Sequence, residues 1–242
     1  GRYCTLMWWE NSGTYTGTWS YSIDGGAAIN VTSTGLTDSF RTLKIDLGTY
    51  ASHTVTVARV TGSICMSGAL FTPGAGVSTV RCGVGGTHSN DWATTITARA
   101  RRATFRGFAA GLQIIRLGHN DASLQGTTGT TPTGFKTNIQ TLITEATLNS
   151  NTKAILLLPD PPTSATATPF DYPSYWPKLA ELAAENSNVA YLDLNSVLNA
   201  TYTSGNTAGW YRDQVHRTAS GYQAEAKVIA DLLMLPSLMT SA

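Results

Sequence analysis

The chain has 242 residues, 42% hydrophobic and 13% charged, with a formal net charge of +1. It is apolar enough for a buried core, but its charged share is about half the ~25% of ordinary soluble domains. Near-neutral charge gives no general electrostatic case for nucleic acid or an anionic membrane, and no apolar run approaches the ~20 residues of a membrane span.

The opening Gly1-Arg2-Tyr3-Cys4 has no initiator Met and no signal-peptide pattern, and it enters strand-like sequence directly. A longer polypeptide, trimmed before Gly1, is the expectation. Arg2–Trp9, Thr16–Ile23, Arg41–Leu47, His53–Val60 and Ser63–Phe71 are β-branched or aromatic runs separated by Gly and polar breaks. Their spacing predicts a small all-β, jelly-roll-like sandwich over residues 1–72. Asp24-Gly25, directly after a strand, is a hairpin signal. Val55, Val57 and Val60 nearly alternate, predicting one buried face. Trp8, Trp9, Trp19 and Tyr21 suit either the sandwich core or a sugar-stacking platform. Of the three cysteines, Cys4 and Cys65 could bridge in an oxidising compartment, or stand as small buried thiols. Thr72-Pro73-Gly74-Ala75-Gly76 then breaks the pattern, as a linker would.

From Val77 the texture changes, and residues 73–242 read as a second domain. Leu112–Leu117, Ala154–Leu158 and Val189–Leu194 are near-continuous apolar strands; Phe135–Leu148, Tyr175–Ala184 and Ala219–Leu235 have helical spacing. This alternation predicts an α/β fold whose parallel sheet is covered on both faces, with ligands at the carboxyl ends of the strands.

Three pieces fall at such ends. Gly83-Val84-Gly85-Gly86-Thr87-His88-Ser89 follows the short apolar run Val77–Val80 and precedes a predicted helix containing Trp92; its glycines suit backbone N–H donors or a plain loop. Gly118-His119-Asn120-Asp121 follows a strand, where Asn120 can donate into a site or simply turn the chain. Asp213-Gln214-Val215-His216 leads into the last helix; a carboxylate three residues before a His can hold Nδ1 and leave Nε2 as a general base, though a capped surface loop reads the same way. Arg99, Arg101, Arg102 and Arg106 make a basic cluster that suits a solvated helix face better than a binding patch. His53, His88 and His119 read as single histidines without carboxylate spacing, with His88 and His119 bordering the pocket.

In this order the three pieces resemble the later blocks of the SGNH (GDSL-type) serine hydrolases, over roughly residues 77–235. The resemblance implies a flavodoxin-like, three-layer α/β/α domain. It implies His216 as base, Asp213 as its orienting carboxylate, Gly86 N–H and the Asn120 amide as oxyanion donors, and no metal or organic cofactor. The family's first block, Gly-Asp-Ser after an apolar strand, has no match here. Thr37-Asp38-Ser39-Phe40 is the nearest string, but it lacks the Gly and leads into a strand; Ser89 is a second weak in-chain candidate. The expectation is therefore that residues 1–72 form an insert or carbohydrate-binding module. An upstream segment or partner chain carrying Gly-Asp-Ser would then complete the sheet.

The function implied is ester hydrolysis, with an acetylated glycan or cell-surface polysaccharide as substrate, in an extracellular or virion-associated setting. The alternative is a catalytically inactive carbohydrate-binding or structural component, such as a phage tail or adhesin protein, that keeps the hydrolase frame.

Overall fold

The computed structural model describes residues 1–11, 13–33, 39–73, 80–95, 105, 110–123, 129–149, 151–161, 172–198 and 201–239. The chain forms two compact units, Gly1–Val84 with Ile96–Ala110, and Gly85–Thr95 with Gly111–Ala242. The basic cluster at Arg99, Arg101, Arg102 and Arg106, residues Thr37 and Asp38, and most of the run Val77–Val80 lie outside the described residues.

In the first unit, strands β1 (Tyr3–Glu10), β2 (Gly17–Ile23), β3 (Ile29–Ser33), β4 (Ser39–Asp46), β5 (Val55–Gly62) and β6 (Cys65–Thr72) make two antiparallel sheets, ordered β4-β1-β6 and β3-β2-β5. Their central strands carry the core. Cys4, Leu6 and Trp8 alternate along β1 and pack with Ile45, Leu47 and, from the other sheet, Trp19. Trp8 and Trp19 meet edge-to-face with centroids 5.1 Å apart. Trp9 is buried as well. These tryptophans are core, which removes them from any sugar-stacking platform.

Asp24 and Gly25 both have positive φ (50° and 76°), and Gly26 N–H donates to Ile23 C=O at 2.8 Å, closing the hairpin from β2 into β3. β3 carries no strand signal in its composition, because Asn30, Thr32 and Ser33 are polar. The strand forms because the turn folds it back along β2, where Val31 packs on the core and Ser33 is buried. The buried face expected for β5 is not there. Val55 packs on the core, but Val57 and Val60 are exposed. β5 is an edge strand, and its register with β2 shifts beside Val60, which breaks the alternation. All three thiols are free. Cys4 stands opposite Phe71 and Cys65 opposite Trp9, five residues apart along β1, so register keeps them from pairing.

In the second unit, β7 (Leu112–Arg116), β8 (Ala154–Leu158) and β9 (Val189–Tyr191) form a parallel sheet in that order. The helices are α1 (His119–Ser123), α2 (Pro132–Thr147), α3 (Tyr172–Glu185), α4 (Leu194–Val197), α5 (Tyr202–Thr207) and α6 (Ala219–Met239). Around Trp92 the chain is helical, with a π-helical turn over Asp91–Thr95. β9 stops at Tyr191, short of the predicted Leu194, because the Asp193 carboxylate accepts from the N–H groups of Asn195 and Ser196 and starts α4 there. Thr131 caps α2 similarly through Gly134 N–H, with Pro132 in its first turn.

Leu156 and Leu158 pack with Leu194, Val228 and Ile229 on one face of the sheet. Ile155 and Leu157 alternate to the opposite face, and α3 packs on β8 and β9, with α2 against α3. Helices on both faces of a parallel sheet give the predicted three-layer α/β/α architecture. Among the described residues β7 has β8 as its one strand neighbour, and Ile114, level with Leu156 on the α6 face, is exposed. No helix among the described residues is long and apolar enough to cross a membrane.

Candidate active site

The carboxyl ends of β7 and β8 carry Arg116, His119, Asn120 and Asp160. β7 ends in Arg116, and the turn to α1 passes through Gly118 at φ 128°. A Cβ at Gly118 would stand 3.3 Å from the Phe135 ring, so the sharp turn and the close packing both call for glycine. His119 N–H then donates to Asp160 Oδ2 at 2.7 Å, tying this turn to the end of β8.

Asn120 Nδ2 donates to Thr87 C=O at 3.0 Å, which brings the Gly118–Asn120 turn to the glycine segment. A side-chain amide has two hydrogens, so this bond orients the group and leaves the second available. Gly86, beside Thr87, has φ 79° and is exposed. Ser89 Oγ donates to Asp121 Oδ1 at 2.6 Å, and Ser89 N–H to Asp121 Oδ2 at 2.9 Å, both fully buried. Asn138 Nδ2 donates to the same hydroxyl at 3.0 Å. Burial raises the Asp121 carboxyl above its ordinary value, against the pull of the Ser89 bonds. Ser89 therefore anchors the glycine segment from inside, and its enclosed hydroxyl is in no position to attack a substrate. Ser39, the other in-chain candidate, opens β4 opposite Glu10 in the first unit and leads into a strand.

His216 Nδ1 lies 2.9 Å from Asp213 Oδ2 and 3.2 Å from Oδ1. A carboxylate only accepts, so Nδ1 carries the hydrogen and Nε2 of the neutral ring is an acceptor. Asp213 Oδ1 also takes the N–H groups of Val215 (2.8 Å) and His216 (2.6 Å). Those backbone bonds, then the imidazole, hold the Asp213 carboxyl far below the usual carboxylate range. The pair is solvent-exposed, with 63% of the His216 side chain accessible. His216 is also close enough to His119 to affect its protonation: burial first, and then the charges of His216 and Arg116, depress the His119 pKa despite Asp160. The structure thus joins Gly86 to Asn120 through Thr87, and joins Asp213 to His216.

These spacings, from a glycine segment through Gly-x-Asn to Asp-x-x-His in one α/β unit, decide the family. The chain belongs to the GDSL-like lipase/acylhydrolase family, which its residues 65–224 match. Among solved structures, this GDSL-like chain resembles a peptidoglycan O-acetylesterase at 15% identity and TM-score 0.69, over 99% of its own length and 66% of that protein's. The likeness is one of fold, and the chain spans just under two-thirds of that esterase. Looser matches are a carbohydrate esterase family 2 enzyme with a carbohydrate-binding domain from Corynascus thermopiles (13% identity, TM-score 0.42, 96% and 92% covered) and a family two carbohydrate esterase from Clostridium thermocellum (15%, 0.40, 97% and 88%). No curated protein sequence matches the chain significantly.

Sequence reasoning missed four groups. His88 Nδ1 bonds Asp91 Oδ2 at 2.8 Å, a second His–Asp pair whose carboxylate follows the histidine by three residues, so it does not stand alone. His53 likewise pairs with Asp24. Asp160 and Glu225 each bind Arg116: Nε lies 3.3 Å from Asp160 Oδ1, and Nη1 and Nη2 reach the two Glu225 oxygens at 2.7 and 3.2 Å. Only the His88–Asp91 spacing was readable locally. Among the described residues no three His, Cys, Asp or Glu side chains cluster as metal ligands.

Proposed function

We propose that this GDSL-like chain is the base-and-oxyanion part of a serine esterase that removes acyl groups, acetyl foremost, from a glycan outside the cell or on a virion. The Asp213–His216 geometry carries the reading. With Nδ1–H held by Asp213, Nε2 takes the proton of an attacking serine hydroxyl as its Oγ bonds to the ester carbonyl carbon. The carbonyl oxygen becomes an oxyanion, met by Gly86 N–H and the second Asn120 hydrogen. Collapse breaks the bond to the alcohol, which leaves with the Nε2 proton, and water repeats the sequence on the acyl-serine.

The serine itself comes from a Gly-Asp-Ser segment outside this sequence, upstream or on a partner chain. The edge of β7 that takes no strand among the described residues, and the exposed Ile114, support this: a parallel strand laid there would end beside Gly118, at the end of the sheet that holds the dyad. The likeness in fold to a peptidoglycan O-acetylesterase, and the all-β first unit, favour a glycan substrate.

Producing the protein together with a Gly-Asp-Ser segment tests the proposal. A fluorophosphonate probe should then label that serine, aryl acetate should be hydrolysed, and His216→Ala should remove both activities. A completed protein that neither labels nor hydrolyses would instead be the inactive binding component.

A further inference from the structure

Behind the dyad lies a row of alternating charges that the mechanism does not use. Asp160 accepts His119 N–H and pairs with Arg116; Arg116 pairs through two hydrogen bonds with Glu225. Glu225 Oε1 lies 3.1 Å from Arg217 Nε. The Glu225 and Arg217 side chains are 4% and 1% exposed. One end of the row is the residue before Asn120, and the other is the residue after His216.

The loop at the far end is closed by its own backbone bonds, Arg212 N–H to His216 C=O at 2.8 Å and Thr218 N–H to Trp210 C=O at 2.9 Å, but the Arg217 guanidinium has few supports. Arg217 Nε faces Glu225 as an ion pair, not an aligned hydrogen bond, and Nη1 and Nη2 find no acceptor among the described residues. What holds the guanidinium is the Glu225 charge and the faces of Tyr211 and Trp210, 4.7 and 5.6 Å from their centroids. A buried cation held by one carboxylate goes where that carboxylate goes. Glu225 is fixed in turn by Arg116 on the sheet.

We infer that Glu225 is a positioning residue, which clamps Arg217 to the end of β7 and thereby sets where the His216 imidazole stands relative to Asn120. The inference rests on the catalytic reading given to His216. A misplacement of about 1 Å at a reacting group costs about 10²-fold in rate, which is the scale on which such a clamp acts.

Glu225→Gln keeps the shape and removes the charge. In the esterase completed with its serine segment, kcat should fall by about tenfold to a hundredfold with KM little changed. On the protein without that segment, NMR of the His216 Nδ1–H proton should show the Asp213 hydrogen bond weakened or averaged while the fold signals persist. Arg217→Met, which leaves Glu225 paired with Arg116, should do the same. The NMR arm needs no turnover, so an inactive wild type would sink the catalytic reading while leaving the clamp testable. A folded variant with an unchanged Nδ1–H signal, or with kcat within about twofold of wild type, overturns the inference. So does failure of both variants to fold, which would make the row a fold support only.

Discussion

Asn120 has two amide hydrogens, and Thr87 C=O occupies one of them. That bond fixes which side-chain atom is nitrogen and orients the amide, as the oxyanion role proposed for it requires. Asn120→Ala in the completed esterase should lower kcat on an aryl acetate by about 10²–10³ with a small change in KM, as loss of one oxyanion donor does. Steady-state kinetics against a circular-dichroism control checks it. Which of these residues were readable depends on range. Asp213 and His216 are three residues apart, so spacing alone exposes the pair. Ser89 and Asp121 are 32 apart and Arg116 and Glu225 109 apart, and no local pattern links them. His88–Asp91 is a local pair that reading carboxylates only ahead of the histidine leaves out.

Strands and helices were legible where burial dictates composition. Ile155, Leu156, Leu157 and Leu158 make an apolar run because both faces of β8 are covered, and Ile139, Leu142, Ile143 and Ala146 recur on α2 because one stripe faces inward. β3 was illegible because its strand character comes from pairing with β2, and the open edge of β5 makes its alternating valines misleading. The same distinction separates two leucines. Leu157 is fully buried, so Leu157→Ala should cost about 2–5 kcal/mol, whereas exposed Leu148→Ala should stay within about 0.5 kcal/mol. Urea unfolding with fixed m-values checks the pair.

Over the whole molecule two cores form in two compact units, and the first carries its own titrating staple. His53 Nδ1 lies 2.8 Å from Asp24 Oδ2 and Nε2 lies 3.1 Å from Thr49 C=O, so both ring nitrogens face acceptors, which favours the cation over the neutral ring. The Asp24 bond, then the Thr49 carbonyl, raise the His53 pKa above 6.5, while the His53 bond foremost lowers Asp24 below 3.8. The histidine contribution is thus whole below pH 6.5 and fades as pH climbs through the raised value; that of Asp24 is whole above pH 3.8 and fades on acidification. The melting-temperature gap between wild type and His53→Asn should be widest between those limits and narrow on either side. The flank of β7 that no strand covers among the described residues has a different consequence. Side chains on an incoming strand alternate from face to face, so sliding it along Ile114 and Ile115 by a single position would invert every one of them. On the proposed function, docking of the serine segment would then act as a vernier: only alternate alignments would present its hydroxyl to the imidazole, and the others would yield a closed sheet that is chemically silent.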